Sequence, residues 1–255
     1  MRKLKAIAFN TFKEAVRNKV FYLLVVLGVV TAVSSLIVSM LTIGDKEKVL
    51  KDVGLAAIDF FSVLIAIFTG INLVYKEIDK RTIYNMLSKP INRGTFIFGK
   101  FLGLALTLLI ALSSMTVIFF AFLWLSTGQV DLKILIYFVL LYMELLIITA
   151  ISLLFSSFST PILSSIFTIS LYLIGTVTWT FNEFKDQLQG TVQKVIASVF
   201  YYILPNLDKF NIKNDLVLNQ PLDPYLIVNG IAYAVVYISA LLVLTTVIFR
   251  TREFQ

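Results

Sequence analysis

Cysteine and histidine are both missing from the chain. Their absence excludes disulfides, thiolate chemistry, and imidazole-ligated zinc or copper sites built from this chain alone. Also missing are an internal repeat, a low-complexity linker and a soluble domain, so residues 1–255 are expected to form one membrane domain. Proline is rare, with five in all, and Pro90, Pro161 and Pro205 fall where a helical or apolar pattern stops. Such breaks suit a residue that has no N–H to donate.

What is present is strongly apolar. Hydrophobic residues make up 58% and the mean hydropathy is +0.90, whereas a soluble domain is usually about half apolar. Crossing about 30 Å of hydrocarbon takes about 20 such residues in a helix. Six runs qualify, near 20–43, 54–75, 96–125, 132–157, 162–181 and 225–249. The expected fold is therefore an all-α membrane protein with six transmembrane helices.

The net charge of +7 does not point to nucleic acid, because the basic residues flank spans instead of gathering on a polar, aromatic-bearing domain. With the amino end inside, 14 of the Lys and Arg residues fall on the cytoplasmic side and 8 outside, and the positive-inside rule puts both termini in the cytoplasm. The basic start lacks the short apolar core and small-residue cleavage site of a signal peptide, so no cleavage is expected. Residues 4–19 carry Phe9, Phe12 and Val16 on one side and Asn10, Lys13, Glu14 and Arg17 on another. That pattern predicts an amphipathic helix lying in the cytoplasmic interface.

Outside, residues 182–224 form the longest polar segment. Phe181, Phe184, Leu188, Val192, Val195, Val199 and Ile203 recur at helical spacing, which predicts an external amphipathic helix before the sixth span. A turn-rich stretch beginning at Pro205 follows.

The charged interruption between the second and third spans carries the most information. Over 75–102 it holds six basic residues and two acids, Glu77 and Asp79. Thr82 to Ser88 reads as a two-turn helix with Ile83, Met86 and Leu87 on one side, stopped by Pro90. Read from spacing alone, it is either a docking element for a soluble protein or a solvated loop that obeys the charge bias.

Glu77, Arg81-Thr82, Leu87-Ser88, Pro90, Arg93 and Gly99-Lys100 together resemble the signature of type 2 ABC exporter permeases. The resemblance implies that 75–95 is the coupling segment seated on a separate ATP-hydrolysing subunit, with Glu77, Arg81, Thr82, Ile83, Met86, Leu87, Pro90 and Arg93 as its contacts. It also implies a homodimer of permeases with two ATPase subunits in the cytoplasmic membrane of a bacterium or archaeon. In the family, spans two and five of the two copies face each other around the pathway. Within the family, the phrases at 76–93 and 204–213 look most like the permease of the copper-processing system linked to nitrous-oxide reductase maturation. That likeness implies a periplasmic accessory partner, although a chain without Cys and His is poorly equipped to handle a bare copper ion.

No cofactor is expected in the chain itself, with ATP and Mg²⁺ belonging to the partner. Gly94 to Lys100 matches G-x-x-x-x-G-K, but Phe101 stands where a Mg²⁺-binding hydroxyl is needed, and no strand precedes the loop. Met40, Met86, Met115 and Met143 are scattered over different elements and read as ordinary hydrophobic residues. Gly99 and Gly103 form a G-x-x-x-G pair suited to close helix packing or to a tilted entry.

Asp59 and Glu144 are the only carboxylates within the expected spans. An intramembrane charge costs about 2.5–3.5 kcal/mol even on the insertion scale. Each is a candidate lining for a polar path or a hydrogen-bonded structural acid. Asp59 shares its face with Ser62 and Thr69, and the fifth span carries Thr168, Tyr172 and Thr176 along one side. These residues complete the candidate lining. The leading expectation is a non-enzymatic exporter permease; the alternatives are a membrane anchor for a soluble partner and a proton-coupled secondary transporter.

Overall fold

The computed structural model describes residues 2–41, 45–79, 92–128, 131–178, 180, 198–199, 201, 203–218 and 220–251, with backbone alone for 73–79 and 250–251. Among them there is no strand. Eight α-helices are named here: α1 (Arg2–Val16), α2 (Lys19–Leu41), α3 (Lys46–Asp79), α4 (Arg93–Thr127), α5 (Lys133–Ser156), α6 (Pro161–Thr176), α7 (Lys213–Val217) and α8 (Pro224–Thr251). A 3₁₀ turn, Asp208–Phe210, lies between α6 and α7.

Among the described residues, five helices are long and apolar enough to cross a membrane: α2, α3, α4, α5 and α8. The expected fifth span instead appears as the 16-residue α6, about 24 Å at the helical rise. Its start agrees with the sequence: Thr160 is extended and Pro161 opens the first turn, where a missing N–H costs nothing. Its regular helix ends at Thr176 with a turn at Val177, and the expected limit at 181 lies outside the described residues. The charged run Lys46 to Asp52, which separates the first two expected spans in sequence, is not a separate connection. It forms the first turns of the 34-residue α3.

The boundaries of α4 are chemically marked. Asn92 accepts a hydrogen bond from the Gly94 N–H at 3.2 Å, satisfying one of the orphan donors of the first turn. At the far end Gly128 takes φ 69°, and its N–H reaches the Trp124 carbonyl at 2.8 Å. This is the left-handed stop that glycine adopts without steric cost.

α5 is the central helix, packed by α3, α4, α6 and α8. Its serine and threonine hydroxyls are satisfied locally: Thr149 donates to Leu145 O at 2.7 Å and Ser152 to Thr149 O at 2.8 Å. The same holds for Thr107 to Gly103 O on α4. Such back-bonding lets polar side chains sit in an apolar interior. Tyr142 ties α5 to α4 by donating to the Ala105 carbonyl at 3.1 Å.

α1 packs along α4, but not by its aromatic stripe. Ile7, Thr11 and Ala15 are buried, while Phe9 stays 54% exposed. The G-x-x-x-G pair explains the choice. A Cβ on Gly103 would stand 2.5 Å from the Ala8 carbonyl, and one on Gly99 2.8 Å from the Ile7 side chain. Only glycines allow so close an approach.

Candidate functional site

The two ends of the bundle are built differently. At the end holding α1, the start of α4 and the end of α8, the Arg93 guanidinium donates to the Phe249 carbonyl at 2.7 Å, and Phe96 stacks on Phe249 with ring centroids 5.8 Å apart. Lys100 is buried here, its ammonium 5.8 Å from the Phe96 ring. The Gly94–Lys100 stretch is helical throughout, so it cannot cradle a phosphate as a loop does. Arg81, Thr82, Ile83, Met86, Leu87 and Pro90 lie outside the described residues, as does the Glu77 side chain.

At the opposite end, residues 204–212 fold back into the bundle. Leu207 and Phe210 are each 1% exposed, although they belong to a stretch that reads as polar and turn-rich. Gly175 admits them: a Cβ there would stand 2.9 Å from Leu207 and from the Pro205 carbonyl. The backbone is anchored by Leu207 N–H to Gly175 O at 3.1 Å, Asn206 N–H to the Tyr233 hydroxyl at 2.9 Å, and the Tyr237 hydroxyl to Ile203 O at 3.0 Å. Thr178 adds a bond to Pro205 O at 3.2 Å. Lys209 places its ammonium 4.4 Å from the Tyr233 ring centroid, a cation–π contact. The expected helix over 181–203 lies almost wholly outside the described residues.

Beneath this inserted loop is a cavity of about 40 Å³. Its walls are Asp59 from α3, Tyr137 and Glu144 from α5, Tyr172 and Thr176 from α6, and Leu207, Asp208, Phe210 and Asn211 from the loop. Four of the seven candidate lining residues therefore meet in one place. The other three do not. Ser62 donates to the Met115 sulfur at 3.7 Å, Thr69 bonds the Ile65 carbonyl of its own helix, and Thr168 donates to Ser164 O at 2.7 Å. All three are buried in helix contacts.

Tyr137 and the loop residues were missed as site members. Tyr137 had a readable signal, since it lies seven residues before Glu144 and so on the same helix face. The family likeness of 204–213 draws notice to Leu207, Asp208, Phe210 and Asn211, but no local pattern places them at the cavity, which they reach by the return of a distant loop.

The cavity is unusual in its polar balance. Glu144 is buried, and both Asp59 Oδ1 and the Tyr137 hydroxyl are buried without a hydrogen-bond partner. Burial raises Asp208 above the ordinary carboxylate range at the cavity mouth. Lys213 acts electrostatically on Asp59, and its ammonium is held by Asp52 at 3.0 Å. A buried ion pair stands nearby in the same end region: Lys51, almost wholly enclosed, reaches Glu47 at 2.7 Å and Asp131 at 3.4 Å. Among the described residues no group of three acidic side chains is placed to hold a metal ion.

An all-helical chain with five apolar helices of spanning length, carrying its polar groups inward, is a multi-pass membrane protein. More particularly, residues 5–254 match the ABC-2 family transporter protein family, and the chain belongs to it. None of the curated proteins matches the chain. It is a membrane component of the ABC transport type.

Proposed function

We propose that the chain is the permease subunit of an ATP-driven exporter, acting as a homodimer with two copies of a separate nucleotide-binding subunit. The observation that carries this reading is the family match over almost the whole length, 5–254. The charged segment after α3 is the docking element, with Glu77, Arg81, Thr82, Ile83, Met86, Leu87, Pro90 and Arg93 as contacts. Closure of the ATPase pair pushes on this segment. Arg93 supports a route for the push, because its bond to the Phe249 carbonyl joins the start of α4 to the end of α8.

In this reading both termini lie in the cytoplasm, and the loop at 204–212 is the outer gate. Asp59, Glu144, Tyr172 and Thr176 lie on the polar route past it. The likeness of 76–93 and 204–213 to copper-processing permeases supports a cargo used in maturing a periplasmic copper enzyme, handed on by an accessory protein. A copper species of that kind would be carried in a complexed form, since the chain has no Cys or His.

The test is co-purification in mild detergent with a candidate ABC ATPase, comparing wild type with a Glu77→Ala, Arg81→Ala double variant and recording ATP hydrolysis. Equal stoichiometry, lost in the variant, is the expected result. Failure to associate with any such ATPase would sink the reading in favour of a membrane anchor or a secondary carrier.

A further inference from the structure

Asp59 and Glu144 come from different helices, yet both line a single cavity whose walls contain no basic side chain. Two negative charges enclosed together in a low-dielectric interior repel and lose hydration. Little offsets these charges from the sides. Lys213 is engaged by Asp52, Lys209 stands on the Tyr233 ring, and Asp208 adds a third acid from the loop. From α5 and α6 the facing groups are Tyr137, Tyr172 and Thr176, none of them cationic.

The second observation is independent of charge. Among the described residues, Asp59 Oδ1 and the Tyr137 hydroxyl are buried and lack partners, and Tyr137 is only 3% exposed. Buried polar atoms of this kind normally have a bonding partner. At about 40 Å³ the space holds about three to four waters, each needing about 10–15 Å³. Organic ligands occupy pockets of about 300–1,000 Å³, so in this state the cavity is too small to hold an organic cargo.

We infer that the cavity is a proton-binding site in which Asp59 and Glu144 share one exchangeable proton, with the Tyr137 hydroxyl and enclosed water completing the hydrogen bonds, and that this proton keeps residues 207–211 seated. The balance is simple. Uptake of H⁺ from water converts one carboxylate to a carboxyl O–H, removing one charge and supplying a donor to the other acid. Release returns H⁺ to water and leaves like charges beneath Leu207 and Phe210, with Asp208 above them. The loop then unseats. This device works whether or not ATP powers the transporter, and its failure would leave the ATPase test untouched.

The experiment uses the full chain in lipid nanodiscs. Infrared difference spectra are recorded as the pH is stepped from acid to mildly alkaline, alongside amide hydrogen exchange over 204–212. The expected result is a protonated-carboxyl C=O band that shifts in D₂O and disappears on release, while exchange over 204–212 rises in step. Glu144→Gln and Asp59→Asn each abolish the shared-proton band, and either change removes most of the pH dependence of loop exchange. Asp208→Asn keeps the band. Should the acid variants fail to fold, Tyr137→Phe carries the test, because it retains both acids and shifts the band by removing one hydrogen bond.

A band that survives both single acid substitutions overturns the inference, as does an unshifted band in Tyr137→Phe. So does closure of the loop by sodium chloride, but not choline chloride, without a carboxyl band. That outcome would make the ligand a metal cation.

Discussion

The two ends of this bundle solve the same packing problem by opposite means. At the end of α1, closeness comes from what is absent: Gly99 and Gly103 have no side chains, and α1 lies directly on the backbone of α4. At the end of the 204–212 loop, closeness comes from what is inserted, with Leu207 and Phe210 filling space between α5, α6 and α8. The first contact leaves few polar groups to satisfy. The second covers an acid, Asp59, and a phenol, Tyr137, that stay incompletely bonded among the described residues. A contact of backbone on backbone has few alternatives, whereas a plug over unsatisfied polar groups has a competitor in water. The comparison therefore assigns rigidity to one end and exchange to the other.

The largest effect should come from removing the plug. Leu207→Ala deletes a side chain with 1% exposure, at a cost of about 2–5 kcal/mol. Amide exchange should rise over 204–212 and leave α1 protected, which tests whether the ends are independent. Next is Gly103→Ala. Its new Cβ meets the Ala8 carbonyl and Thr11, costing about 1–3 kcal/mol; thermal unfolding in detergent should shift while the loop keeps its protection. Loss of protection at both ends would break the comparison.

Arg93→Gln removes the charged donor to the Phe249 carbonyl, a bond worth about 1.5–3 kcal/mol before discount for its partial exposure. It should loosen the last turn of α8 in exchange measurements and reduce any ATPase coupling.

A pH series sharpens the contrast further. Burial holds Asp208 above the ordinary carboxylate range, so the seated loop binds its proton better than the unseated one. Loop protection from this group should be greatest at low pH and fall as pH rises through the raised value. In an Asp59→Asn, Glu144→Gln background the residual pH dependence should belong to Asp208, and Asp208→Asn should remove it. The smallest effect is expected from Lys213→Ala. Its partner Asp52 is 55% exposed, and such pairs contribute about 0–1 kcal/mol; added salt should reproduce most of the change in loop exchange.

Much of the helical framework was legible in the sequence because spans are selected by a local property, apolar length. The ends of α4 and the start of α6 were readable from Asn92, Gly128, Thr160 and Pro161, residues whose preferences act within one turn. The extension of α3 back to Lys46 was not, since Lys46 to Asp52 carries the charges of a loop. In the fold those charges find distant partners, Lys51 with Asp131 and Asp52 with Lys213. Which face of α1 meets α4 was not legible, for a related reason. Periodicity ranks side chains by hydrophobicity, but Gly99 and Gly103 reward the smaller Thr11 and Ala15 over Phe9 and Phe12.

The site divides along the same line. Asp59 and Glu144 stood out singly, because a carboxylate in an apolar run is conspicuous wherever it lies. That they share a cavity with Tyr137, Tyr172 and Thr176 was decided by the packing of α3, α5 and α6. Its lid was decided later still. The sequence by itself determined that this chain is a helical membrane protein with acids in its spans, since insertion into lipid depends on composition summed over about 20 residues. Only the tertiary structure brought Leu207 and Asp208 over those acids, through hydrogen bonds across tens of residues that no local pattern encodes.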